Sequence, residues 1–131
     1  MRISRSLLDE IIQHAREDAP NECCGMVASR DGEAVAVHRA ENTAHSPLRY
    51  EMDPAEIYRI VQKEIDDQGL DLGIIYHSHT RSAPYPSQTD INLAFYPDTL
   101  YVIVGVAAPE PDVRAFTIRD GDVNEVGLEI S

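Results

Sequence analysis

The sequence predicts an α/β domain in which a single mixed β-sheet is flanked by helices. Three observations predict it. Apolar residues recur at helical spacing over 7–15 and 57–65; two Asp-Gly pairs, Asp31-Gly32 and Asp120-Gly121, each sit between runs of β-forming residues; and 71–76 and 100–106 are short, nearly unbroken apolar runs. Helical and strand patterns interleave with no repeat, low-complexity stretch or linker between them, so 1–131 reads as one domain. A chain of 131 residues buries a core without disulfide staples.

In chain order, Ser4 and Ser6 are both candidate N-caps for a first helix. Its apolar stripe is Leu7, Leu8, Ile11, Ile12 and Ala15, and Ala19-Pro20 ends it. His14 stands among Glu10, Gln13 and Glu17 and is expected to be solvated. Glu22 to Ser29 and Glu33 to His38 form a hairpin about Asp31-Gly32; Glu22 and Cys24 share one face, Cys23 takes the other, and His38 is expected at the surface. Glu41 to Pro47 is a polar loop. Asp53-Pro54-Ala55-Glu56 combines a cap, a first-turn proline and a capping-box glutamate; Ile57, Ile60, Val61 and Ile65 make the buried stripe, and Gly69 supplies the stop. Asp71 to Tyr76 is a buried strand, and Leu100 to Val106 a central one. Val113 to Ile118 and Val123 to Val126 close the chain as a second hairpin about Asp120-Gly121.

The net charge is −12, with 23 acidic residues against 11 basic ones, of which only Lys63 is a lysine. Such a surface repels phosphate backbones and anionic lipid, which argues against nucleic acid or membrane as partner. No stretch approaches the length of a membrane span, and no apolar segment follows the basic start, so a cytoplasmic protein is expected. Two adjacent cysteines, Cys23 and Cys24, make no disulfide framework.

The chemistry is concentrated between His77 and Asp90. His77 and His79, at i and i+2 on the end of a strand, point at one spot. Beyond a proline-stiffened loop, Ser87 and Asp90 share the face of a short helix running into Ile91–Phe95. Two imidazoles, one carboxylate and a position left to water compose a catalytic zinc site, where water reaches a pKa of about 7. Amide hydrolysis also needs an unligated base, for which Glu22 is the candidate, and a donor to the developing oxyanion, for which the Ser87 hydroxyl is placed. Plainer readings stand beside these: Ser87 and Asp90 as a helix cap, Glu22 as a solvated strand end, His45 as an exposed loop residue, Cys23 as a core residue. Cys24, on Glu22's face, is open as a sulfur ligand or a thiol nucleophile.

Glu22, then His77-Ser78-His79, seven residues, Ser87, two residues and Asp90, resembles the complete signature of the JAMM (MPN-domain) metalloproteases. Glu22-Cys23-Cys24-Gly25 is similar to the family's Glu-x-Cys-Gly segment, and Tyr50 to Pro54 to its lead into the second helix. The resemblance implies an α/β sandwich related to cytidine deaminases, one zinc held by His77, His79 and Asp90, Glu22 as general base, and Ser87 stabilising the tetrahedral intermediate. Within the family, 76–90 together with 42–50 and 97–104 is most similar to small bacterial peptidases of the CysO-cysteine peptidase group, although Thr80 stands where most relatives show proline. The implied partner is a small ubiquitin-like sulfur carrier whose Gly-Gly tail bears a cysteine. Arg81, by charge and position, is the candidate contact for the departing cysteine's carboxylate. The long insertions of deubiquitinating relatives are missing. The rival readings are a desampylase-like isopeptidase that removes modifiers from lysines and a non-catalytic zinc scaffold that binds the carrier. A zinc nucleoside deaminase is disfavoured because no Pro-Cys-x-x-Cys or His-x-Glu segment is present.

Overall fold

Alternation along the central strands divides the molecule into two cores, one on each side of a single curled sheet. The computed structural model describes residues 1–131. Its elements in order are β1 (Arg2–Ile3), α1 (Arg5–Asp18), β2 (Cys24–Arg30), β3 (Glu33–Ala40), α2 (Pro54–Tyr58), β4 (Asp71–His79), α3 (Gln88–Asn92), β5 (Leu100–Gly105), β6 (Asp112–Arg119), β7 (Asp122–Val126) and β8 (Glu129–Ile130). The eight strands run in the order β7-β6-β5-β4-β2-β3-β1-β8. β4 pairs with β5 in parallel, as β1 does with β3 and β8, and the other pairs are antiparallel, so the sheet is mixed as expected. No helix is long and apolar enough to cross a membrane.

On β4, Ile74 and Tyr76 face α1, whereas Ile75 faces the helix that begins with α2; the same alternation separates Val102 and Val104 from Tyr101 and Ile103 on β5. Ser4 Oγ accepts the Leu7 N–H at 3.2 Å, so Ser4 rather than Ser6 caps α1. Leu8, Ile11, Ile12 and Ala15 are buried against the sheet, each large side chain contributing roughly 1.5–3 kcal/mol. His14 is buried as well, contrary to expectation: its Nδ1 lies 2.7 Å from the Tyr76 hydroxyl and its Nε2 3.3 Å from Asp18. The Tyr76 ring passes directly over Gly25, where any Cβ would overlap it, so β2 needs a glycine at this crossing.

Both Asp-Gly turns form, with φ of 52° and 77° at Asp31-Gly32 and 50° and 81° at Asp120-Gly121, as a type I′ connection requires. His38 is only half-buried, yet its Nε2 is enclosed and has no partner, so it is less exposed than the alternation implied. Asp53 caps α2 by accepting from the Ala55 N–H at 2.7 Å. Glu56 does not complete a capping box; its carboxylate accepts from the Glu41 N–H at 2.9 Å and ties the preceding loop to the helix. Beyond Tyr58 the helix widens into a π-helical stretch, Arg59–Ile65, then tightens to a 3-10 turn at Asp66–Gln68 and stops at Gly69 with φ of 70°. Ile60 and Ile65, five residues apart, are both buried by this wider turn, whereas Ile57 and Val61 are half-buried.

Candidate metal centre

Parallel pairing with β5 and antiparallel pairing with β2 hold the end of β4 in the middle of the sheet, and there His77 and His79 leave it on one face. Both are buried. The Asp90 carboxylate comes to them from α3: its Oδ2 stands 3.1 Å from His77 Nε2 and 3.1 Å from His79 Nε2, while the two Nε2 atoms are 3.2 Å apart. Donors about 2.0–2.1 Å from a tetrahedral zinc stand about 3.3 Å from one another, so the three atoms already occupy one face of such a site. His79 Nδ1 lies 2.8 Å from the Ala83 carbonyl, which only accepts. Nδ1 therefore carries the proton, and in the neutral ring Nε2 presents a lone pair to the shared point. The three donors could hold a metal ion.

The helix cap and the placement of the Asp90 carboxylate are one device. Ser87 Oγ accepts the Asp90 N–H at 3.0 Å, and Asp90 Oδ2 accepts the Ser87 N–H at 2.9 Å, which is a capping box closed by aspartate. The same Oδ2 faces both histidines, so the cap fixes the rotamer that delivers the carboxylate. Ser87 itself is exposed, and because its oxygen accepts within the cap, its hydroxyl hydrogen is free to be donated outward. Burial pushes the Asp90 carboxyl up, but hydrogen bonds from His77 and His79 when their Nε2 atoms carry protons, as they can without an ion, outweigh that and hold it well below the usual carboxylate range. Burial depresses the His77 imidazole; at His79 the opposing pull of Asp90 and the Ala83 carbonyl overcomes burial and raises it.

Glu22 lies just before β2. Cys24 faces His77 in the β2–β4 register, and continuing that antiparallel register by two residues sets Glu22 toward His79. Its side chain is 4% exposed, and Oε1 has no hydrogen-bond partner. Burial pushes its carboxyl up to about 7, with the charge of His79 pulling the other way and that of Asp90 reinforcing burial.

Several residues to which spacing assigns no role hold this arrangement. Ser78, between the histidines and fully buried, accepts the Cys23 N–H on Oγ at 2.8 Å and donates its own N–H to the Cys23 carbonyl at 3.2 Å. That clamp binds the segment carrying Glu22 to β4. Asn42 Nδ2 donates to the Glu22 carbonyl at 2.9 Å and to the Arg49 carbonyl at 3.1 Å, and its Oδ1 accepts from Ala44 and Glu51. Tyr50 stacks on His77, with ring centroids 4.6 Å apart and planes at 28°. A polar residue inside an apolar strand was the available signal for Ser78; Tyr50 and Asn42 are joined to the site only by the path of the loop.

Cys24 does not join the His77, His79 and Asp90 donor group, and burial pushes its thiol up, which disfavours a nucleophilic role. Cys23 is a core residue whose thiol burial pushes up to about 12. His45 is exposed. Arg81 lies exposed on the turn after β4, beside a shallow hollow that also includes Ala83, Pro84, Glu110 and Asp112 and does not include Glu22.

Comparison with known proteins bears on this geometry. Residues 4–119 match the family model for prokaryotic homologues of the JAB domain. The chain is 35% identical over 131 residues to a CysO-cysteine peptidase of Mycobacterium tuberculosis, covering 98% of this chain and 89% of that protein. It is 41% identical over 130 residues to a desampylase of Haloferax volcanii, covering 93% and 90%. Among solved structures, a JAB/MPN-domain protein of Archaeoglobus fulgidus superposes with a TM-score of 0.65 at 23% identity, covering 99% of this chain and 98% of that one, a likeness of fold.

Proposed function

The chain belongs to the JAB/MPN (JAMM) family of hydrolases, and from that premise we propose that residues 1–131 form one zinc metallopeptidase domain acting in the cytoplasm. Its substrate in this reading is the amide bond after the C-terminal Gly-Gly of a small ubiquitin-like sulfur carrier. The observation that carries the proposal is the meeting of His77 Nε2, His79 Nε2 and Asp90 Oδ2 within 3.2 Å, beside a buried carboxylate, Glu22, that has a free oxygen. The names of the two relatives support the substrate class.

His77, His79 and Asp90 would hold the ion, which would supply Lewis acidity toward a water and the scissile carbonyl. Glu22 takes the proton that water loses and returns it to the leaving nitrogen; a carboxyl held near neutrality by burial is suited to both transfers. Ser87 donates its hydroxyl hydrogen to the glycine carbonyl oxygen as negative charge grows there. Glycines before the bond let the tail approach the buried histidines without a side chain in the way. The bond cut is glycine C–N: the glycine carbonyl keeps the water oxygen, the nitrogen leaves as an amine with the proton carried by Glu22, and the second water proton passes from the new carboxyl to the amine or to solvent.

The resemblance to the CysO-cysteine peptidase group would make the leaving residue a cysteine, with Arg81 as the contact for its carboxylate; the similarity to a desampylase would make it a lysine side chain, with no carboxylate for Arg81 to meet. Glu22→Gln tests the assignment of the base. The variant is expected to bind zinc in a one-to-one ratio by elemental analysis and to leave a Gly-Gly-linked carrier conjugate uncut. Substantial turnover by this variant would remove Glu22 from the mechanism.

A further inference from the structure

Glu22 borders two places at once. One is the metal group; the other is an open cleft of about 350 Å³ at the end of the sheet. Its walls are Glu17 and Asp18 at the end of α1, Asn21 and Glu22 between α1 and β2, and Glu41, Asn42 and His45 on the loop after β3, with no apolar side chain among them. His77, His79 and Asp90 have no part in this wall, so Glu22 stands between the metal group and the cleft. The charges in it are unevenly matched. Glu17 is paired with Arg39, whereas Asp18 meets only His14 Nε2 at 3.3 Å and Glu41 only His45 Nε2 at 3.7 Å. Glu22 adds a carboxylate that is almost wholly buried and has one unpartnered oxygen.

This inference rests on the cleavage proposed above. A group that returns a proton to the leaving nitrogen must stand about 3 Å from it, so the nitrogen lies against Glu22. With the glycine carbonyl over the metal group and Ser87, the chain attached to that nitrogen passes across Glu22 into the cleft. We propose that the cleft is the subsite for the leaving side of the bond, and that Asp18 and Glu41 make it select an amine set among positive charges: a lysine side chain in a basic segment of a modified protein. A leaving residue with a free carboxylate, or an acidic segment, would enter a cleft already holding unneutralised carboxylates.

The test links one Gly-Gly-ended carrier to the side-chain amine of lysine in two peptides, one flanked by arginines and one by glutamates, and to free cysteine as a third conjugate. At low ionic strength the zinc-loaded protein is expected to cut the arginine-flanked conjugate with a kcat/KM roughly tenfold or more above the other two, a gap that narrows as salt rises. Glu41→Gln and Asp18→Asn should each shrink the ratio, and Glu41→Lys should shrink it further. Binding of the free arginine-flanked peptide, followed by fluorescence anisotropy, should weaken in the same order. Equal rates for the arginine and glutamate conjugates, or a ratio unmoved by these variants, overturns the inference while leaving the cleavage in place. If no conjugate is cut but the arginine peptide still binds in a Glu41-dependent way, the cleavage fails and the cationic subsite stands; absence of both refutes both.

Discussion

Glu22→Gln should make the metal-free protein more stable at alkaline pH and should lose that advantage in acid. Burial lifts the Glu22 carboxyl from 4.5 to about 7. Between those values the folded protein holds a proton that the unfolded chain has already released, so wild-type stability falls as pH rises through the window and levels off above it. The full displacement corresponds to about 3 kcal/mol. Glutamine carries no charge to desolvate, and whatever its buried amide costs does not vary with pH. The difference in Tm between variant and wild type is therefore expected to widen by roughly 10 °C between pH 4 and pH 8 for a chain of this size. The assay is thermal unfolding by circular dichroism in excess chelator at both pH values. A Tm difference that stays constant within about 2 °C would mean that Glu22 is solvated when ionised, and the account of its basicity would fall.

Other changes separate the parts of the site. Ser87→Ala removes a donor that acts on charge present only in the transition state, so kcat should fall by about 10²–10³ with KM little changed; it also removes the cap of α3, and an accompanying loss of about 1 kcal/mol should appear in thermal unfolding. An unchanged kcat would remove Ser87 from the mechanism. Ser78→Ala strands the buried Cys23 N–H and should cost about 1–3 kcal/mol while zinc still binds; wild-type stability in this variant would show that the clamp between the Glu22 segment and β4 carries no load. Asp90→Asn preserves an acceptor for the Ser87 N–H but removes the anionic ligand, so the circular dichroism spectrum should be retained while zinc is lost on dialysis. Stoichiometric zinc after dialysis would contradict the ligand set.

Much of this molecule is legible in the sequence because its local signals agree with its tertiary fate. The Asp-Gly pairs take the positive φ values their residue types favour, and the alternation of β4 carries Ile75 and both histidines to one face. His14 reads as solvated because its immediate neighbours are polar. Yet it lies three residues after Ile11 and seven after Leu7, at the margin of the apolar stripe, and the Tyr76 hydroxyl supplies the partner that lets it be buried. The π-helical stretch has no propensity signature; it is set by how Ile60 and Ile65 meet the sheet. The two-residue strands β1 and β8 are too short to show a period. At the metal centre, spacing pointed to His77, His79 and Asp90, whereas the hold of Ser78 and Asn42 on the Glu22 segment depends on residues brought together by the loop and the sheet. Ser87 and Asp90 form the helix cap, and that same cap aims the Asp90 carboxylate at the two histidines.

The most direct test of the central claim is intact mass spectrometry of carrier conjugates incubated with zinc-loaded protein and with the chelated protein. Loss of only the group attached beyond the terminal glycine, dependent on the metal, is the predicted result. Conjugates of unchanged mass in the presence of zinc, or the same loss after chelation, would contradict it.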